Sequence, residues 1–392
     1  MPFRFADPAV QPITIEVVSD SSWSEVEKTL SAPQRAFARL LDFAPKPGRH
    51  CILPPGEGQS ARVLFGVAET SDRSYDPMLP GRLAVVLPSG AYRFGADTPD
   101  LDLATLSWAL TSYRFTRYKK APNDLAQLCA AEGVDQRRVL RIVEAVSFGR
   151  DLINTPACDM GPEALAAAAT GLAERYGAKA AVIQGDALAA GFPLIDAVGR
   201  AGHQPPRLVD MVWGRADAPK VTLVGKGVTF DTGGLNIKPE SGMLIMKKDM
   251  GGGATALALA QMVMDAGLDL RLRVILPIVE NSISAPSFRP GDVIRSRKGT
   301  TVEIGNTDAE GRLILADALA LGGEDKPDLL IDFATLTGAA RVALGPDLPP
   351  FFTEDDELAS TLQRHGQIVR DPVWRLPLWS PMIPCSTARS RM

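Results

Sequence analysis

The chain has 392 residues, 45% of them hydrophobic and 22% charged, with a formal net charge of −4. It is long enough for two domains and ordinary in composition for a soluble globular protein, and nothing in its charge favours nucleic acid or an anionic membrane surface. No signal-peptide core and no run of 18 apolar residues is present, so the expected compartment is the cytoplasm.

Cys51, Cys129, Cys158 and Cys385 form no CxxC pair. His50, His203 and His365 have no HExxH spacing, and no GxSxG elbow accompanies them. Thiolate zinc sites, disulfide frameworks and Ser-His-Asp catalysis are set aside, which leaves carboxylates and lysines to carry any chemistry.

Residues 1–145 read as a smaller N-terminal α/β domain. The runs ITIEVV, RVLFGVA and LAVVLP have strand character, whereas SWSEVEKTLSAPQRAFARLLDF and LDLATLSWALTSYRF read as helical. DQRRVLRIVEAVSFGRDLIN forms a further helix that ends near Asn154, because Thr155 precedes Pro156 and a residue before proline avoids the α region. Residues 146–392 read as a larger catalytic α/β domain with a mixed central sheet flanked by helices. A helix over 162–176 is followed by VTLVGKG, the helix GGATALALAQMVMDAG, LRLRVILPIV, the helix GRLILADALALGG and DLLIDFATLTGAA. Near-continuous apolar strands alternating with helices indicate a sheet buried on both faces, and ligands of such sheets bind at the strand ends.

Two short stretches at those ends hold most of the reactive side chains, VGKGVTFDTGGLNIKPESGMLIMKKDMGGG (224–253) and NTDAEGR (306–312). They carry the carboxylates Asp231, Asp249, Asp308 and Glu310, together with Lys226, Lys238 and Arg312. Charges beside buried strands are costly unless paired or bound to a metal. Asp308, Glu310 and Arg312 fall at i, i+2 and i+4, a spacing that in an extended segment points all three to one side. The plainer alternative is a solvated cluster capping a helix.

Oxygen-rich sites suit Mg, Mn or Zn, and two such ions about 3.5–4 Å apart could share an attacking hydroxide. Lys226 between two glycines suggests a phosphate loop, but neither GxxxxGK[ST] nor GxGxxG is present. As a neutral amine it could instead ligate a metal, if burial and nearby cations lowered its pKa. Lys238 is suited to stay charged and hold a carbonyl oxygen or oxyanion. Gly251–Gly253 could bind an anion or simply allow close packing.

The two stretches resemble the signatures of the leucyl aminopeptidase family of dinuclear metallo-exopeptidases. The resemblance extends through RDLINTPA (150–157), GHQPPRLV (202–209), KKDMGG (247–252), FATLTGA (333–339) and WRLPL (374–378). It implies that Lys226, Asp231, Asp249 and Glu310 hold one divalent ion, Mn or Zn, and that Asp231, Asp308 and Glu310 hold a second. Lys238 would polarise the scissile carbonyl, and Arg312 would position a bicarbonate acting as base. Met246, Thr335, Leu336 and Gly338 would line the pocket for an apolar first residue such as leucine. The family also implies peptide substrates and a homo-hexamer.

After WRLPL the resemblance fades, and the tail WSPMIPCSTARSRM has no strand or helix pattern. Allowed codons for Met382–Met392, read one base out of frame, can spell Tyr-Asp-Ser-Met-Leu-Asp-Ser-Lys-Val-Ala-Asp, which resembles the family at this point. The expectation is therefore a frameshifted, C-terminally truncated chain in which Cys385 and Arg389 have no role. Three functions compete: the aminopeptidase; phosphoryl transfer at the glycine-rich loop, disfavoured by spacing; and a catalytically impaired member with a binding or regulatory role, DNA binding being disfavoured by charge.

Overall fold

The computed structural model describes residues 3–56, 58–120 and 125–379. The expectations placed on Met382–Met392, Cys385 and Arg389 lie outside these residues. The chain divides into two compact units, Met1–Ser147 with Asp356–Val373, and Phe148–Asp355 with Trp374–Met392. Residues 356–373 thus count with the first unit and not with the sequence on either side of them.

In the first unit β1 (Ile13–Val18) is the middle strand of a sheet ordered β2-β3-β1-β4-β5. Its other strands are β2 (His50–Leu53), β3 (Arg62–Gly66), β4 (Gly90–Phe94) and β5 (Ala126–Leu128). All pairs are parallel except β2 with β3. The stretch read as one helical segment splits into α1 (Asp20–Thr29) and α2 (Ala32–Leu40). Ser31 leaves helical geometry with ψ 160° and its hydroxyl accepts from the Gln34 amide, while Pro33 sits in the first turn of α2.

LAVVLP is not the expected strand. Residues Leu83–Val86 form a single helical turn, α3, with Leu83 and Ala84 buried and Val85 and Val86 exposed. Two adjacent residues inward and two outward is a helical pattern, and four apolar residues are too few to tell the periods apart in advance. α4 (Leu101–Thr111) then covers one face of the sheet with Ala104 and Trp108, which pack among Phe65, Tyr92 and Phe94. α5 (Gln136–Asn154) ends where the proline argument placed it.

The second unit is built on a mixed sheet ordered β13-β8-β10-β7-β6, with β9 also paired to β10. Its strands are β6 (Lys179–Gln184), β7 (Arg207–Trp213), β8 (Lys220–Gly225), β9 (Gly227–Asp231), β10 (Arg271–Asn281) and β13 (Leu329–Phe333); β11 (Val293–Arg295) and β12 (Thr301–Glu303) form a separate ribbon. β13, β8 and β9 run parallel with β10, whereas β7 pairs antiparallel with β10 and β6 antiparallel with β7.

Helices α6 (Pro162–Tyr176) and α10 (Gly251–Ala266) cover one face, and α7 (Asp186–Gly191), α8 (Pro193–Gly199) and α11 (Glu310–Glu324) the other; a one-turn α9 (Glu240–Met243) lies in the loop after β9. The alternation along β10 shows the two-sided burial. Leu272, Val274, Leu276 and Ile278 join the core under α6 and α10, while Ile275 and Val279 join the core under α8 and α11. Each such side chain contributes about 1.5–3 kcal/mol of hydrophobic stabilisation. Among the described residues, no helix is long and apolar enough to cross a membrane.

Candidate metal centre

Lys226 interrupts what would otherwise be one strand, β8 running into β9. Its main chain bonds to neighbouring elements: the N–H donates to the Phe333 carbonyl (2.9 Å) and the C=O accepts from the Gly253 N–H (2.8 Å). That contact uses the glycine run. A Cβ on Gly252 would stand 2.1 Å from the Phe333 oxygen, so Gly251–Gly253 serve close packing, and the Gly253 amide is already occupied.

The Lys226 side chain is 2% exposed, with Nζ 2.8 Å from Asp249 Oδ2 and 2.8 Å from Glu310 Oε1. Gly311 leaves it room, since a Cβ there would lie 2.6 Å from Lys226 Cε. Lys238, in the loop after β9, pairs with Asp231 Oδ2 at 2.8 Å and with Asp308 Oδ1. The four carboxylates and two lysines singled out in the sequence therefore converge.

The geometry of NTDAEGR differs from the extended segment anticipated. Thr307–Ala309 form a 3-10 turn and Glu310 opens α11. Asn306 caps the turn by accepting from the Asp308 N–H (2.8 Å). The turn is tied to the loop after β9: Thr307 Oγ1 donates to the Gly233 carbonyl (2.7 Å), and the Thr307 N–H donates to Asn236 Oδ1 (2.9 Å). This tight turn brings Asp308 and Glu310 to Asp231, with one oxygen of each within 4.8 Å of the others. Arg312 is exposed and makes no ion pair among the described residues.

Two of the carboxylates are held on one oxygen by donors outside the cluster and offer the other inward. Asp231 Oδ1 accepts from the Gly233 N–H (2.9 Å) and Asn281 Nδ2 (2.8 Å), leaving Oδ2 toward Lys238. Asp249 Oδ1 accepts from Thr335 Oγ1 (2.8 Å) and lies near Lys248 (3.3 Å), leaving Oδ2 toward Lys226. Asp249 Oδ2 and Asp308 Oδ1 are buried and accept no well-directed hydrogen bond among the described residues, although each touches an ammonium group.

The protonation states follow from crowding. Burial pushes Glu310 up to about 7, with Lys226 opposing and Asp231 and Asp249 adding to the rise. Burial likewise raises Asp308, only partly countered by Lys238. For Lys226 burial pulls the pKa down, but Glu310 and Asp249 outweigh it and hold the amine above its ordinary value. Lys238 is raised in the same way by Asp231 and Asp308 against the effect of burial. With all groups ionised, three ammonium groups (Lys226, Lys238 and, at the edge, Lys248) among four carboxylates still leave an excess of negative charge, which a hard divalent cation would neutralise through oxygen ligands. The residues present fit such an ion.

Of the anticipated pocket residues, Met246 opens the 3-10 turn Met246–Met250 that carries Asp249. Thr335 is bonded to Asp249, Leu336 is 46% exposed and Gly338 lies in an exposed stretch. Sequence reasoning missed Asn281, Thr307 and Asn236. The available signal for Asn281 was a lone amide closing the apolar strand RLRVILPIVEN.

This fold and this cluster define an α/β protein of two units with an acidic, cation-accepting centre at the ends of parallel strands. Residues 147–387 match the cytosol aminopeptidase family, catalytic domain, and residues 13–131 match the M17 aminopeptidase, N-terminal domain. A protein of Stenotrophomonas maltophilia (strain K279a) named "Probable cytosol aminopeptidase" is 44% identical, over 96% of this chain and 82% of that protein. One of the same name from Corynebacterium efficiens is 42% identical, over 88% of this chain and 72% of that protein.

Among solved structures, cytosol aminopeptidase from Coxiella burnetii superposes with a TM-score of 0.91 at 44% identity, covering 97% of this chain and 83% of that one. The bottromycin maturation enzyme BotP in complex with Mn gives 0.83 at 32% identity, covering 96% and 84%. The chain belongs to the cytosol aminopeptidase family, and the resemblance to leucyl aminopeptidases is borne out.

Proposed function

We propose that this chain is a metal-dependent aminopeptidase that removes the N-terminal residue, preferably leucine or another apolar residue, from peptides in the cytoplasm. The observation that carries the reading is the pair of buried carboxylate oxygens, Asp249 Oδ2 and Asp308 Oδ1, that meet only lysine ammonium groups. Lys226, Asp231, Asp249 and Glu310 would hold one divalent ion, and Asp231, Asp308 and Glu310 the other, with Mn or Zn as candidates; the Mn-bound relative supports this. When bound, the two ions supply Lewis acidity and an activated water.

The remaining work belongs to the chain. Lys226, which the folded chain holds in its charged form, would have to give up its proton to serve as a ligand. Lys238, relieved of its carboxylate partners, keeps its charge and holds the oxygen of the scissile carbonyl as negative charge develops there. Arg312, exposed two residues into α11, is open to a small anion, bicarbonate, that would relay a proton to the leaving amine. Met246, Thr335, Leu336 and Gly338 would accept the first side chain, and a homo-hexamer is the assembly proposed.

Hydrolysis of a leucine chromogenic amide by the purified chain, with Mn²⁺ or Zn²⁺ added and Asp308→Ala alongside, tests the reading. Metal-dependent turnover that the variant lacks supports it. Turnover that survives both a chelator and the substitution would end it.

A further inference from the structure

Asn281 is the last residue of β10 and is fully buried, at 0% exposure. Its Nδ2 donates to Asp231 Oδ1 at 2.8 Å and to the Thr307 carbonyl at 3.1 Å. Both partners can only accept, so they determine which way round the amide stands. The cost is on the other side: Asn281 Oδ1 is buried and accepts no hydrogen bond among the described residues. An apolar residue would fill this position without stranding an acceptor. The chain therefore keeps a buried unpaired oxygen in order to place one donor here.

The strand pairing shows the same thing independently. β9 and β10 pair regularly at Gly227–Ile278 and Val228–Val279, a register that would set Phe230 beside Asn281. The ladder slips by one residue after Val279, and Asn281 stands beside Asp231 instead. The Asn281 main chain also anchors the turn that follows, its carbonyl accepting from the Thr232 N–H (3.0 Å) and Thr232 Oγ1 (2.9 Å).

We propose that Asn281 is a positioning residue of the metal centre. It ties the end of β9, which carries Asp231, to the turn that carries Asp308 and Glu310. With the Gly233 amide it also commits Asp231 Oδ1 to the protein, which leaves Oδ2 as the oxygen available to a cation. The inference rests on the metal-dependent reading above. Partners that orient metal ligands in this way are worth about 10- to 100-fold in metal affinity.

The test is competition of the full chain against a metal-sensing chelator for Mn²⁺ and Zn²⁺, with thermal melting of the metal-free forms. Asn281→Ala is compared with Thr229→Val, which removes a different buried hydrogen bond across the same strand pair, from Thr229 Oγ1 to the Val279 carbonyl (3.2 Å). Asn281→Ala should bind metal about 10- to 100-fold more weakly. Thr229→Val should stay within about two-fold of the parent, whatever the melting temperatures do. Should Asn281→Ala not fold, Asn281→Ser carries the same comparison. Equal weakening in both variants, or none in the Asn281 variant, overturns the positioning role while the parent still binds. A parent that takes up no metal overturns the metalloenzyme reading and this inference with it.

Discussion

Both units lay helices on a sheet whose central strands are parallel, yet they bury different kinds of polar side chain. Among the described residues, the buried polar residues of the first unit are neutral: Gln34, Thr98, Thr105 and Ser107. Gln34 is typical, donating through Nε2 to the carbonyls of Pro54 and Ser60, both at 3.0 Å. The second unit buries Arg207, Lys226, Asp231, Asp249, Glu310 and Asp317. Charge is far more costly to bury than an amide, so the second unit is the one whose buried groups need ionic partners or a bound cation.

Burial of charge is not the whole criterion. Asp317 is 0% exposed, but its two oxygens accept from the main-chain N–H groups of Leu194 (2.8 Å) and Arg297 (2.7 Å). It is a strut. Asp249 and Asp308 instead each turn an inward oxygen to a lysine ammonium group, Lys226 and Lys238. A carboxylate held by a side-chain cation that a metal could replace, and not by fixed main-chain donors, separates a candidate site from a support.

The largest effect that would break this contrast is at the centre. Glu310→Ala should lose one ligand shared between both ions, and turnover should fall by more than the roughly 100-fold that losing an outer partner costs. Metal stoichiometry and amide hydrolysis measured together would show it; activity within tenfold of the parent would remove Glu310 from the site. Lys238→Met should lower kcat by about 10²- to 10³-fold, the range for losing one group that stabilises an oxyanion. Here metal binding should persist, which separates Lys238 from the ligands.

Asp317→Ala sharpens the contrast from the other side. It leaves two buried N–H groups without their acceptor, at about 1–3 kcal/mol each. Urea unfolding should register that loss, while activity per folded molecule stays within about two-fold. A kinetic defect in a fully folded variant would make Asp317 part of the site.

Smaller effects come from protonation. Glu310 is raised in the folded chain to about 7 from an ordinary 4.5. A carboxyl with a raised folded pKa favours folding while protonated, so its contribution is present below about pH 4.5 and lost as pH rises through about 7. The metal-free chain should therefore lose stability across that window, and Glu310→Gln should flatten the dependence. Metal affinity should move oppositely, weakening as pH falls through about 7 because protons compete for the same oxygen. Ser31→Ala, in the first unit, should cost only about 0.5–2 kcal/mol as a lost helix cap and leave turnover unchanged.

Much of this was readable from local patterns. The helix at 162–176 matches α6, and the alternation of apolar strands with helices gave the layered, two-faced core. The motif residues from Lys226 to Glu310 do meet in space. LAVVLP failed because a four-residue apolar turn carries too little periodicity to distinguish a strand from a helix. The i, i+2, i+4 reading of Asp308, Glu310 and Arg312 failed because it assumed an extended chain. The 3-10 turn there is held by Thr307 bonding to Gly233 and Asn236, some seventy residues earlier.

Residue type, order and spacing were enough for the family, the two-unit α/β plan and the set of acidic and basic side chains, because these are properties of the chain read locally. Which carboxylate oxygen faces inward, which lysine pairs with which acid, and the place of Asn281 depend on a one-residue slip between β9 and β10 and on the closure of distant loops. Those follow from the competition of many packed and hydrogen-bonded groups at once. No window of sequence contains that competition, so only the folded chain resolves it.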